Sequence, residues 1–113
     1  MMNGGCMNAI PQIQIREAKK ELDQQHCVFV DIRDPDSYRA AHVPGAIHLH
    51  DGNVQEFLQN TDKQTFVVVY CYHGNSSLGA VAYLRENGFK SVVSMSGGFE
   101  AWRQTYEHEP ADR

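Results

Sequence analysis

"TFVVVYCYHGNSSLGAVAYLRENG" occupies residues 65–88 and decides how the rest of the chain is read. Its first seven residues, Thr65 to Cys71, are a nearly unbroken apolar run, too short for a buried helix and too uniform for a strand with one wet face. From Ser76 onward the spacing turns helical, with Leu78, Val81, Ala82 and Leu84 predicted as core and Gly88 as the stop. Between strand and helix lies only the short turn "YHGNS". A buried strand that turns tightly into a helix is the building block of a parallel α/β sheet.

The same alternation extends in both directions. Upstream, a strand at Ile13–Ile15 precedes a helix at 16–25, followed by the strand "VFVDI" (28–32). A short helix over Asp36–Ala41, with Asp34 and Pro35 at its start, leads to the strand "AIHLH" (46–50) and the helix "VQEFLQ" (54–59). Downstream come the strand "VVSM" (92–95), the turn "SGG" and the helix "FEAWRQTY" (99–106). These elements predict an α/β fold with a central parallel sheet of about five strands, flanked by helices on both faces. At 113 residues there is room for one domain, expected over residues 8–113. Residues 1–7 read as a flexible leader or an alternative start, since Met7 could serve as the first residue.

Composition narrows the function classes. The net charge of −4 and the absence of a basic run give nucleic acid nothing to bind. No apolar stretch is long enough to span a bilayer, and "MMNGGCMNAIPQ" lacks the build of a secretory signal, so no membrane partner and a cytoplasmic location are expected. Three cysteines, odd in number and without a CxxC pair, do not make a disulfide framework or a structural zinc site. Cys27, at the entry to "VFVDI", reads as a small buried hydrophobe.

Cys71 admits two readings: a core thiol at a strand end, or a nucleophile. Ligands of parallel sheets bind beyond the carboxyl ends of the strands, which is where Cys71 stands. The attacking species is the thiolate, which needs surroundings that stabilise negative charge. Gly74 and Asn75 tolerate positive φ, so the loop can curl until successive N–H groups point at the sulfur, next to a helix start whose first amides lack partners. Ser76 and Ser77 suit helix capping or contact with a bound anion. His73 either tunes the thiolate or sits exposed without a role. Asp31 and Arg33 close the second strand on the same side; they read as an ion pair supporting the turn, with substrate binding by Arg33 as the alternative. "HLHD" (48–51), with His42, invites a metal reading, but no further ligand lies at suitable spacing, and no metal or cofactor is expected. "GGFEAW" reads as packing.

The loop, "VDIRDPDSYRAAHVPGAIHL" (30–49) and "SGGFEAW" (96–102) together resemble the rhodanese superfamily, and within it the GlpE-type single-domain thiosulfate sulfurtransferases. The resemblance runs from about residue 12 to 106. It implies a double displacement in which Cys71 takes the outer sulfur of thiosulfate, or another sulfane-sulfur donor, and carries a persulfide. A thiol acceptor such as thioredoxin, or cyanide in vitro, then removes the sulfur. The N–H groups of Tyr72, His73, Gly74, Asn75 and Ser76 would cradle the persulfide. Phosphatases sharing the fold place an Arg six residues after the cysteine to grip phosphate, and here that residue is Ser77. Sulfur transfer therefore ranks above phosphatase or arsenate reductase chemistry, with an idle binding or redox-sensing module as the alternative from another class. Many single-domain rhodaneses have Arg five residues after the cysteine; here Ser76 leaves His73 as the loop's one cationic candidate.

Overall fold

The computed structural model describes residues 10–108; the predicted leader and Cys6 lie outside them. Ten elements alternate along the chain: β1 (Gln12–Ile13), α1 (Ile15–Gln24), β2 (Val28–Asp31), α2 (Pro35–Ala40), β3 (Ile47–His48), α3 (Val54–Asn60), β4 (Phe66–Tyr70), α4 (Ser76–Glu86), β5 (Ser91–Met95) and α5 (Gly98–Thr105). The strands form one five-stranded sheet in the order β1-β5-β4-β2-β3, and every pairing is parallel. The fold is the α/β architecture expected, with helices on both faces.

β4 lies at the centre, and its apolar run follows from burial on two sides. Val67 and Val69 face a core with Val81 and Leu84 of α4 and Phe57 and Leu58 of α3. Val68 and Tyr70 face the opposite core, with Ala18 of α1 and Phe99 and Trp102 of α5. Period-two alternation carries through β5, where Val92 joins the first core and Met95 the second. Each side chain near the end of β4 is thereby assigned to one layer, and Cys71 falls on the α4 side with Val69 and Val67.

Several boundaries differ from expectation, each for a local reason. β1 ends at Ile13 because Gln14 is already the N-cap residue of α1, whose inward face is anchored by the fully buried Ala18. α2 starts at Pro35, a residue suited to the first helical turn, and the Asp34 carboxylate accepts from the Ser37 amide. β3 is two residues long, since the chain turns at His50, whose N–H donates to Asn53 Oδ1 while its carbonyl accepts from Val54. In α4 the buried line is Ser77, Val81 and Leu84; Leu78 and Ala82, expected as core, are half-buried. That shift in helical phase turns a serine toward the sheet.

Candidate active site

Cys71 follows β4 directly and is 5% exposed, at the carboxyl edge of the sheet. Three groups converge on its Sγ: the Gly74 N–H at 3.1 Å, the Ser77 N–H at 3.3 Å and the Ser77 hydroxyl at 3.4 Å. The loop can do this because Gly74 takes φ +98°, which tightens the turn within three residues of the sulfur. A side chain there would also press on the Gly97 amide, 3.2 Å from the position of a Cβ. Of the five amides expected to form the cradle, those of Tyr72 to Ser76, only that of Gly74 hydrogen-bonds to the sulfur among the described residues; the second amide that does so, that of Ser77, lies outside the expected set.

The two serines separate in role. Asn75, not a serine, is the N-cap residue of α4, and no side chain caps this helix. Ser76 is exposed, while Ser77 is fully buried, with its amide and hydroxyl both on Cys71 Sγ. Neither serves as the cap that the sequence allowed. Tyr72, His73 and Asn75 are exposed around the sulfur.

"SGGFEAW", expected to serve packing alone, clamps the loop. The Phe99 N–H donates to the Cys71 carbonyl at 2.8 Å and the Glu100 N–H to the Tyr72 carbonyl at 3.0 Å. The start of α5 therefore holds the two carbonyls that precede the turn, leaving the amides after it directed at sulfur. Gly98 sits in between, so close that a Cβ would stand 2.4 Å from the Tyr72 oxygen and 2.6 Å from the Cys71 oxygen.

Asp31 and Arg33 form a buried bidentate pair at the end of β2. Arg33 Nη2 lies 2.7 Å from Asp31 Oδ2 and Nε 3.1 Å from both oxygens, with the arginine side chain 4% exposed. The guanidinium also donates to the Ala41 carbonyl and lies 4.2 Å from the Phe99 ring centroid, with the Tyr70 and Tyr72 rings at 5.6 and 5.5 Å. Its contacts join β2, α5 and the cysteine loop. His42 and His48 each meet a backbone carbonyl, of Tyr38 and Arg33 respectively, and both stack on the Tyr38 ring. Among the described residues, no group of three or more His, Cys, Asp or Glu is placed to hold a metal ion.

The thiols differ in acidity. Burial pushes Cys71 up, but the Ser77 hydroxyl and the amides of Ser77, Gly74 and His73 outweigh it, and the net direction is below the ordinary cysteine value. Cys27 is pushed up to about 11, by burial first and by the Glu21 carboxylate second. Cys27 is the more exposed of the two, so exposure and acidity predict opposite orders of reaction. At pH 7 to 8, iodoacetamide should modify Cys71 well before Cys27, read by peptide mass spectrometry. The Cys71 rate should rise with pH as thiolate forms and reach its plateau at a lower pH than that of an unperturbed cysteine, because a depressed value means deprotonation is complete earlier. Faster labelling of Cys27 would contradict this ordering.

Two cavities, of about 600 and 650 Å³, are lined from α1, β2 and α5, and from the ends of β2 and β3 with α4. Neither is lined by residues 71–77. No helix among the described residues is long and apolar enough to cross a membrane.

The family model described as "Rhodanese-like domain" matches residues 14–105. Among solved structures, the rhodanese-like domain of the Alr3790 protein from Anabaena sp. is 25% identical, with a TM-score of 0.80 over 90% of this chain and 80% of that one. A rhodanese-like domain protein from Staphylococcus aureus is 26% identical, with a TM-score of 0.73 over 82% of this chain and 91% of that one. The human single-domain sulfurtransferase TSTD1 is 18% identical and shares the fold, with a TM-score of 0.77 over 88% of this chain and 100% of that one.

Proposed function

The chain belongs to the rhodanese-like domain family, and on that premise we propose that it is a sulfurtransferase in which Cys71 accepts a sulfane sulfur from thiosulfate and passes it to a thiol or to cyanide. The observation that carries this reading is the convergence of the Gly74 and Ser77 amides and the Ser77 hydroxyl on Cys71 Sγ. Such a site stabilises sulfur anions with neutral donors and needs no metal or organic cofactor.

The chemistry balances in two displacements. The Cys71 thiolate attacks the outer sulfur of thiosulfate; an S–S bond forms, the S–S bond of thiosulfate breaks, and sulfite leaves with the electron pair. The persulfide anion then offers its outer sulfur to a nucleophile. Cyanide departs as thiocyanate, or a thiolate departs as a new persulfide, and the Cys71 thiolate is restored. The amides at Gly74 and Ser77 support negative charge on sulfur throughout. A dithiol such as thioredoxin would serve as the thiol acceptor, and Ser77 supplies no guanidinium with which to grip a phosphate.

Incubation with thiosulfate and cyanide is expected to yield thiocyanate, with none from Cys71→Ala. Thiosulfate alone should add the mass of one sulfur atom at Cys71. Thiocyanate no higher than that of the Cys71→Ala variant, or sulfur added at Cys27 instead, would overturn the proposal.

A further inference from the structure

Ser94 belongs to no motif of the loop, yet it is fully buried and its Oγ lies 2.7 Å from Ser77 Oγ. Ser77 Oγ in turn lies 3.4 Å from Cys71 Sγ. Three polar atoms thus form a chain from the nucleophile across α4 to β5. The parallel register accounts for it: Val69 of β4 pairs with Ser94, so Ser94 projects on the α4 side beside the layer that carries Cys71. We infer that Ser94 is a positioning residue for the nucleophile, a second hydroxyl that orients the Ser77 hydroxyl toward Cys71 as the sulfur becomes anionic.

A serine hydroxyl has one hydrogen and two lone pairs. With Cys71 as a thiol, S–H donates to Ser77 Oγ, Ser77 donates to Ser94, and the Ser94 hydrogen turns away from the chain. With Cys71 as a thiolate, both hydroxyls rotate: Ser94 donates to Ser77 and Ser77 donates to sulfur. Each oxygen keeps its own proton, and the thiol proton leaves for solvent. The second arrangement ends on a charge, and hydrogen bonds in series that end on a charge strengthen one another. Ser94 therefore favours the thiolate without touching it. The charged and titratable groups around the loop are the Asp31–Arg33 pair at the end of β2, Tyr70 at the end of β4, Tyr72 and His73 within the loop, and Glu100 and Arg103 on α5. The α4 and β5 side contributes the two hydroxyls.

This inference rests on Cys71 being the nucleophile, and its readout needs no sulfur donor. The rate of iodoacetamide modification at Cys71, resolved by peptide mass spectrometry across pH 5 to 10, gives the thiolate midpoint. Ser94→Ala should raise that midpoint by at least about 0.3 units, a twofold loss of thiolate at fixed pH below it. Ser77→Ala should raise it further, and Ser94→Thr, which keeps the hydroxyl, should restore most of the wild-type profile. In the Ser77→Ala background, Ser94→Ala should add nothing, because the relay is already cut. If Ser94→Ala does not fold, Ser94→Cys, with a weaker donor at the same place, should still raise the midpoint, by less than full removal of the donor would, and an unchanged midpoint there overturns the relay. A smaller rise in Ser94→Ala, or an undiminished one on the Ser77→Ala background, overturns the relay. Failure of thiocyanate formation would leave this profile intact, and a midpoint that Ser94→Ala does not shift would leave the sulfurtransferase proposal standing.

Discussion

Gly98→Ala should cost the protein both its active-site loop and much of its stability. Gly98 has φ +60°, a conformation that a non-glycine residue adopts at a cost of roughly 1–2 kcal/mol. The new Cβ would also stand 2.4 and 2.6 Å from the carbonyl oxygens of Tyr72 and Cys71, which are backbone atoms and cannot rotate aside. Relief requires moving the start of α5 away from the loop, and that breaks the bonds from the Phe99 and Glu100 amides to those same carbonyls. Each buried group left unpaired costs about 1–3 kcal/mol. The sum is on the order of 4 kcal/mol, a large share of the roughly 5–15 kcal/mol typical of a domain. Thermal unfolding followed by far-UV circular dichroism should show a Tm lower by about 15 °C or more. Below that Tm, iodoacetamide labelling of Cys71 should also slow, since the amides of Gly74 and Ser77 would no longer be held at the sulfur. A Tm within a few degrees of wild type, with labelling unchanged, would mean that the clamp does not set the loop.

The contrast between Gly98 and Cys71 marks where sequence patterns reach. Cys71 stands out because its neighbours along the chain are informative: an apolar run behind it, Gly74 and Asn75 ahead, then helical spacing. The order of strands and helices is legible for the same reason, since period and punctuation are local, and boundaries move by a residue or two where Gln14, Pro35 or the His50 turn decides them. Gly98 could be read as a turn residue, but its contact with the Cys71 and Tyr72 carbonyls depends on how α5 docks across the sheet. Ser77 and Ser76 are alike in sequence, and only the phase of α4 turns one inward. Ser94 is the furthest from legibility. Its signal was a polar residue on the inward face of the apolar strand β5, which gains meaning once Val69 and Ser94 are known to be paired.

Arg33→Ala should destabilise the fold almost as much, by another route. The substitution leaves the Asp31 carboxylate fully buried after losing the Nε and Nη2 bonds, while the Arg33 backbone N–H still donates to Oδ1 at 2.8 Å. Breaking a buried pair from one side typically costs about 3–5 kcal/mol, because the remaining charge is not compensated. The stack on Phe99 is lost as well, and with it the tie between β2 and the segment that clamps the cysteine loop. Arg33→Met separates the two contributions: it keeps apolar contact with Phe99 and removes the charge. If the orphaned carboxylate dominates, Arg33→Met should be nearly as unstable as Arg33→Ala, and adding Asp31→Asn to Arg33→Met should recover stability. Chemical denaturation at neutral pH would measure this coupling as the difference between the double variant and the sum of the singles. Additive losses would indicate that Arg33 acts mainly through packing. A different result would bear on chemistry: a stable Arg33→Met protein whose KM for thiosulfate rises severalfold with kcat unchanged would make Arg33 a binder of the anionic donor. Its 4% exposure and bidentate engagement with Asp31 argue for the structural outcome.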